Sequence, residues 1–328
     1  MPVLRGDDAA SIDLAARQLA AGELVAFPTE TVYGLGARAD LDAAVAAIFH
    51  RKGRPSDHPL IVHVADIAGA RAFAADVPLP AQLLMDRFWP GPLTLVVHRR
   101  AHIAQAAAGG LPTIGLRCPD HPVAQALLRA ALSRGVLGIA APSANRFGRV
   151  SPTLAAHVVD EFGPNLTVLD GGACREGIES TIVDCTGDVP ALLRPGTLDR
   201  RWLEQVLGHA LQAHDTASPR VPGSLDSHYA PYAEVHLAAP QRLAEAVLSA
   251  AREIGSNRVG VYSRVRPAGH PDAVFQCMPD DAAQVAHDLF AVLRRFDALG
   301  VEQIWVEAPP GSSAWDGVRD RLQRAAAR

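Results

Sequence analysis

At 328 residues, with 48% apolar and 20% charged side chains, the chain carries enough apolar surface for two globular domains. A formal net charge of -4 provides no global basic field for nucleic acid, so an anion site must come from a local cluster. Cys118, Cys174, Cys185 and Cys277 form no CxxC pair or metal-like spacing and read as reduced, buried thiols; with a polar Met1–Asp8 and no membrane-length apolar run, a cytoplasmic protein is expected.

In chain order, Ile12, Ala15, Ala16 and Leu19 recur at helical spacing, with Asp7 or Asp8 ahead and Gly22 behind, predicting a helix over 11–21. A strand over 24–27 then gives way to Phe27-Pro28-Thr29-Glu30-Thr31-Val32-Tyr33-Gly34-Leu35-Gly36, where polar side chains and glycines collect at a strand end. Two readings stand: a ligand site, or a strand-to-helix turn with Thr29 or Thr31 capping the next helix. That helix is expected over 41–49, followed by a loop holding Lys52, Arg54 and His58 between Gly53, Pro55 and Pro59. Cations on a stiff loop suit a phosphate, Arg as a bidentate fork and Lys as a point charge; a solvated basic loop is the alternative.

Strands are expected over 60–64, from Leu93, over 113–117, over 137–141, from Leu166, into Asp184 and up to Arg194. Trp89, between Phe88 and Pro90, reads as structural. Arg117 ends its strand as a candidate carboxylate clamp, or closes the sheet with a structural carboxylate. After 137–141 come Pro142-Ser143-Ala144-Asn145 and Ser151-Pro152-Thr153, able to bond a ligand's polar face, with Thr153 also placed to cap a helix. A helix is expected over 123–132. Strand after strand ends in polar, cationic or glycine-rich residues, which suits a sheet with one ligand-binding face.

Residues 208–232 are polar and proline-containing, and read as a linker whose end, His228-Tyr229-Ala230-Pro231-Tyr232, is either a lid over a ligand or a spacer. Strands over 234–238, 258–262 and 303–307 alternate with helices over 241–253, 282–299 and 313–326, predicting a small Rossmann-like α/β domain over 233–328. It holds no GxGxxG and no P-loop, and no chemistry is assigned to it.

The segments PTETVYGLG, KGRPSDHPLIVHV, FWPGPLTLVV, TIGLRCP, APSAN with SPT, GIESTIVD and LLRPG, in that order, resemble the threonylcarbamoyl-AMP synthases of the YrdC-like family; the extension with Ser227-His228-Tyr229-Ala230-Pro231 resembles their two-domain form. The resemblance implies an α/β fold with a YrdC-like twisted open mixed sheet over 1–207. It implies a reaction joining L-threonine, bicarbonate and ATP into threonylcarbamoyl-adenylate and pyrophosphate, for proteins that transfer the threonylcarbamoyl group to tRNA. It places Thr31, His63, Arg117, Ala141 and Ser180 at threonine positions. Arg54, His58, Thr113, Ser143, Ser151, Arg194 and Tyr229 fall at ATP positions, with Lys52 beside them. No protein nucleophile is expected, only positioning by Lys52 and Arg54, with Mg²⁺ arriving on ATP. His63 reads as a neutral hydrogen-bonding residue. Two departures from the family pattern are Phe147, where a small serine is common, and His58, where Asn or Asp is common. Two other classes are an RNA-binding YrdC-like module, marked by a large salt slope, and a carbamoyltransferase accessory protein.

Overall fold

The computed structural model describes residues 3–213, 219–223, 228–268 and 272–327. The chain divides into one compact unit of Met1–Phe147 with Ser151–Ser224 and a second of Gly148–Val150 with Leu225–Arg328.

In the first unit, β1 (Val3–Arg5) leads to α1 (Ala9–Ala20), where Asp8 caps the helix by accepting from the N–H groups of Ala10 and Ser11. A hairpin follows, β2 (Val25–Phe27) and β3 (Gly34–Arg38), before α2 (Asp42–Lys52), which Gly53 ends at φ 63°. The chain continues through β4 (Ile61–His63), α3 (Ile67–Phe73), α4 (Leu79–Phe88), β5 (Leu93–His98), β6 (Thr113–Arg117), α5 (Pro122–Leu132), β7 (Ile139–Ala140) and α6 (Ala155–Phe162). It closes with β8 (Thr167–Asp170), β9 (Thr181–Asp184), β10 (Ala191–Arg194), α7 (Arg200–Leu207) and β11 (Gln212–Ala213). The strands form one open mixed sheet in the order β1-β8-β2-β3-β7-β4-β6-β5-β9-β10-β11.

Strand alternation sorts the core into two layers. Val25, Phe27, Ile139 and Ala141 face α1 and α5, whereas Ala26, Leu35, Ala37 and Ala140 join the layer containing α2, α4 and α6. On β4, β5, β9 and β10 a further patch of Ile61, Val96, Ile182, Ala191 and Leu193 is packed by Val221, so the described linker residues 219–223 lie on that sheet face. The linker is therefore not a free spacer there. Residues 214–218 and 224–227, including Ser227 of the resemblance, lie outside the described residues.

In the second unit, β12 (Glu234–Ala238), α8 (Pro240–Ile254), β13 (Val259–Ser263), β14 (Val274–Cys277), α9 (Ala282–Ala298), β15 (Gln303–Glu307) and α10 (Asp316–Ala326) form an all-parallel sheet, ordered β12-β15-β13-β14, with helices. This is the Rossmann-like pattern expected, with β14 added. Three local expectations change. The segment after β2 is a hairpin loop rather than a strand-to-helix turn, because Gly34–Arg38 pairs with Val25–Phe27. Thr153 does not cap α6, whose N-cap is Leu154 with no side-chain bond. Cys277 is exposed, unlike the other three thiols.

Candidate active site

The hairpin loop Pro28–Tyr33 is folded by its own hydroxyl. Thr29 Oγ1 accepts from the N–H groups of Thr31 and Val32 (3.2 Å each) and donates to the Val32 carbonyl (2.6 Å), while lying 2.9 Å from Thr31 Oγ1. Tyr33 is structural: its buried hydroxyl donates to the Gly172 carbonyl at 2.8 Å, and burial raises its pKa above the usual 10. Gly34 sits in close packing, since a Cβ there would stand 3.1 Å from that of Ala141. The hairpin strand that follows Thr31 is thus packed closely against Ala141 at Gly34.

At the ends of adjacent parallel strands, His63 pairs in register with Arg117. Both are buried. Burial first, then the charge of Arg117, pulls the His63 pKa down to about 3, so its ring is neutral, as expected, and Nδ1 has no hydrogen-bond partner among the described residues. Arg117 has the structural carboxylate that the sequence left as one of two readings. Its Nη2 stands 2.8 Å from Glu30 Oε1 in an ion pair whose side chains are 4% and 1% exposed, and its Nε donates to the Gly91 carbonyl at 3.4 Å. Among the described residues its Nη1 remains uncommitted, so the clamp reading also survives.

Ser180, another threonine position, is tied into a buried hydroxyl pair with Thr94 (Oγ to Oγ1, 2.8 Å). Arg194 donates from Nε and Nη2 to the Ser180 carbonyl (3.1 and 2.9 Å), from Nη2 to Ser180 Oγ (3.2 Å), and from Nη1 to the Pro222 carbonyl (2.9 Å). The guanidinium therefore joins the threonine-side serine to the linker. Ser151 donates through Oγ to the buried carboxylate of Glu179. Lys52 is not a solvated charge either: its ammonium donates to the carbonyls of Ser143 (2.6 Å) and Asn145 and holds that loop in place. Burial, with Arg54 adding repulsion, lowers its pKa well below 10.5.

Arg54 is buried, donates through Nη2 to the Pro59 carbonyl (3.1 Å), and lies 5.6 Å from the Phe147 ring centroid. Phe147 in turn meets His58 edge-on at 5.6 Å. The two departures from the family pattern touch each other and flank Arg54. Partial burial, followed by the Arg54 charge, lowers the His58 pKa from its ordinary 6.5. Thr113 opens β6 and Arg117 ends it, on one face four residues apart, or about 13 Å. Between them Gly115 leaves that face without a side chain. Tyr229 belongs to the second unit, where it is buried at φ 60°, stacked on Phe290 at 5.5 Å, with the Arg321 guanidinium 5.2 Å from its ring.

Sequence reasoning missed Glu30, Thr94 and Glu179, which hold Arg117, Ser180 and Ser151. A carboxylate beside hydroxyl residues in a strand-end motif marks both acids as polar, but not which partner each one holds. Among the described residues no group of three His, Cys, Asp or Glu is arranged to hold a metal, and no helix is long and apolar enough to cross a membrane.

Residues 17–196 match the family model described as Telomere recombination, which covers the Sua5, YciO and YrdC proteins, and residues 198–327 match the model for the threonylcarbamoyl-AMP synthase C-terminal domain. Threonylcarbamoyl-AMP synthases of Pyrococcus abyssi and Bacillus subtilis are each 40% identical, over 96% and 95% of this chain and 93% and 92% of theirs. The crystal structure of Pyrococcus abyssi Sua5 complexed with L-threonine superposes with a TM-score of 0.88 at 38% identity, covering 97% of this chain and 95% of that one. On both domain models and on near-full-length likeness, the chain belongs to the two-domain threonylcarbamoyl-AMP synthase family.

Proposed function

We propose that the protein is a threonylcarbamoyl-AMP synthase that acts as a nucleotidyltransferase on ATP, L-threonine and bicarbonate. The observation that carries this reading is the buried Arg117, with Nη1 uncommitted, beside a neutral His63. A guanidinium nitrogen with open donors suits the substrate carboxylate, and a neutral ring beside it adds no competing charge. Thr31, Ala141 and Ser180 complete the threonine side. Arg54, His58, Thr113, Ser143, Ser151 and Arg194 make the ATP side, and Lys52 positions Ser143 through its carbonyl.

The threonine amine attacks the carbon of bicarbonate, or of carbon dioxide derived from it, and water is lost as the carbamate forms. A carbamate oxygen then attacks the α-phosphorus, and pyrophosphate leaves. Buried, fixed cations favour this transfer by positioning and charge compensation, without a protein nucleophile. Mg²⁺ enters as the counter-ion of the triphosphate. The linker serves as lid through residues 219–223, docked on the sheet of the first unit, and the product passes to cytoplasmic tRNA threonylcarbamoyl transferase proteins.

The test is pyrophosphate release from ATP by the purified protein, with L-threonine and bicarbonate each present or omitted. Release that requires both, and that serine or valine supports poorly, is the expected result. No release under any combination would overturn the reading.

A further inference from the structure

We propose that Glu30 is the positioning residue of the threonine clamp, fixing the Arg117 guanidinium so that its remaining donors meet the substrate carboxylate. This rests on the synthase reading given above. The ion pair is almost fully buried, and a buried pair gains little stability over apolar residues of similar volume. Its presence at the strand end that carries the clamp therefore needs another reason.

The geometry supplies one. A guanidinium has five N–H donors. One, on Nε, reaches the Gly91 carbonyl over a long 3.4 Å, and Nη2 faces Glu30 at 2.8 Å. Nη2 is held by this ion pair and not by a hydrogen bond, and Nη1 with the outer edge of Nη2 then forms the fork that a carboxylate accepts in a bidentate manner. Without Glu30, one long bond would be left to fix the plane of that fork. Glu30 is itself held from behind: its carbonyl accepts from the Glu176 N–H at 2.7 Å, and its loop is folded by Thr29. Among the described residues its carboxylate oxygens have no partner besides Arg117, so its side chain is dedicated to the clamp.

The charge balance points the same way. With His63 neutral, the Glu30–Arg117 pair presents directional donors with little net charge, which favours a correctly oriented amino-acid carboxylate over a free inorganic anion. Removing the Glu30 charge while keeping its shape should leave Arg117 as a looser and more indiscriminate cation.

The experiment is pyrophosphate release by the full-length protein at saturating ATP and bicarbonate and varied L-threonine, for wild type, Glu30→Gln and Glu30→Asp. Expected is a threonine KM raised at least tenfold in both variants, an ATP KM within twofold of wild type, and competitive inhibition by sulfate against threonine that is stronger in Glu30→Gln. Glu30→Asp keeps the charge and shortens the reach, so it decides the matter if Glu30→Gln does not fold. A threonine KM within twofold of wild type in a folded variant, or threonine and ATP KM values raised equally, overturns the assignment while the synthase reading stands. Absence of threonine-dependent release by wild type overturns both.

Discussion

Arg117 and Arg54 are both buried guanidiniums with different surroundings, and the proposed site puts them at different ends. Arg117 sits beside His63 with an uncommitted Nη1, whereas Arg54 is braced by the Pro59 carbonyl and the Phe147 ring. Steady-state kinetics should therefore separate them: Arg117→Ala raises the threonine KM by at least tenfold, and Arg54→Ala does the same to the ATP KM. Equal effects on both constants in both variants would remove the two-ended arrangement. His63 gives a prediction with a definite sign. Its folded pKa of about 3 lies below its ordinary 6.5, so between these values the unfolded chain takes up a proton that the folded one does not. Its contribution is complete above pH 6.5 and is lost as pH falls toward 3, at up to about 1.4 kcal/mol per pH unit. Between pH 7 and pH 5, wild type should lose more stability than His63→Asn by about 2 kcal/mol, measured as the shift in urea midpoint. Parallel losses would show that the ring is not held neutral. The low value also makes His63 a poor general base at neutral pH.

Among the elements, the hairpin of β2 and β3 sets the position of the site. A Cβ on Gly36 would stand 2.8 Å from both Ile139 Cγ2 and Phe27 Cε1, between strands already in contact. Gly36→Ala should lower stability by about 1–3 kcal/mol, read as a fall in melting temperature of several degrees. An unchanged melting temperature would mean that the strands can part at little cost. The same hairpin shows why part of the fold was illegible. Gly34-Leu35-Gly36 reads as loop because glycine lacks strand propensity, yet here it allows neighbouring strands to pack closely. The strands over 234–238 and 303–307 were legible to the residue because apolar runs stand between strongly periodic helices. The α3 and α4 helices went unread where the Asp76–Pro80 segment interrupts periodicity. In the site, the charged and hydroxyl ligand candidates stood out as polar groups at strand ends. Glu30, Thr94 and Glu179 did not, since each owes its role to a partner brought near only by the sheet.

At the scale of the whole molecule, the cations proposed to meet ATP and threonine are interior groups, which distinguishes a small-molecule site from a surface that tracks a nucleic-acid backbone. Lys52, Arg54, Arg117 and Arg194 are all buried. RNA affinity should accordingly be weak and show a shallow salt slope, in contrast to a protein whose exposed cations displace many counterions. The described linker residues 219–223 belong to this interior order too. Val221 is packed among Ile61, Val96, Ile182 and Leu193, and the Pro222 carbonyl accepts from Arg194, the same guanidinium that holds Ser180. Burying one such aliphatic side chain contributes about 1.5–3 kcal/mol, enough to keep a short segment docked against its local chain entropy. Val221→Asp places a charge in that apolar patch and should release the segment while leaving the two cores folded. Limited proteolysis followed by mass spectrometry should then find cleavage within 208–232 accelerated at least tenfold, with the melting temperature nearly unchanged. If the segment is cut no faster than in wild type, the docking rests on the Arg194–Pro222 bond instead of on Val221. A segment fastened through Arg194 to Ser180 would couple linker release to the threonine side of the site, so threonine should slow cleavage in wild type and lose that effect in Val221→Asp.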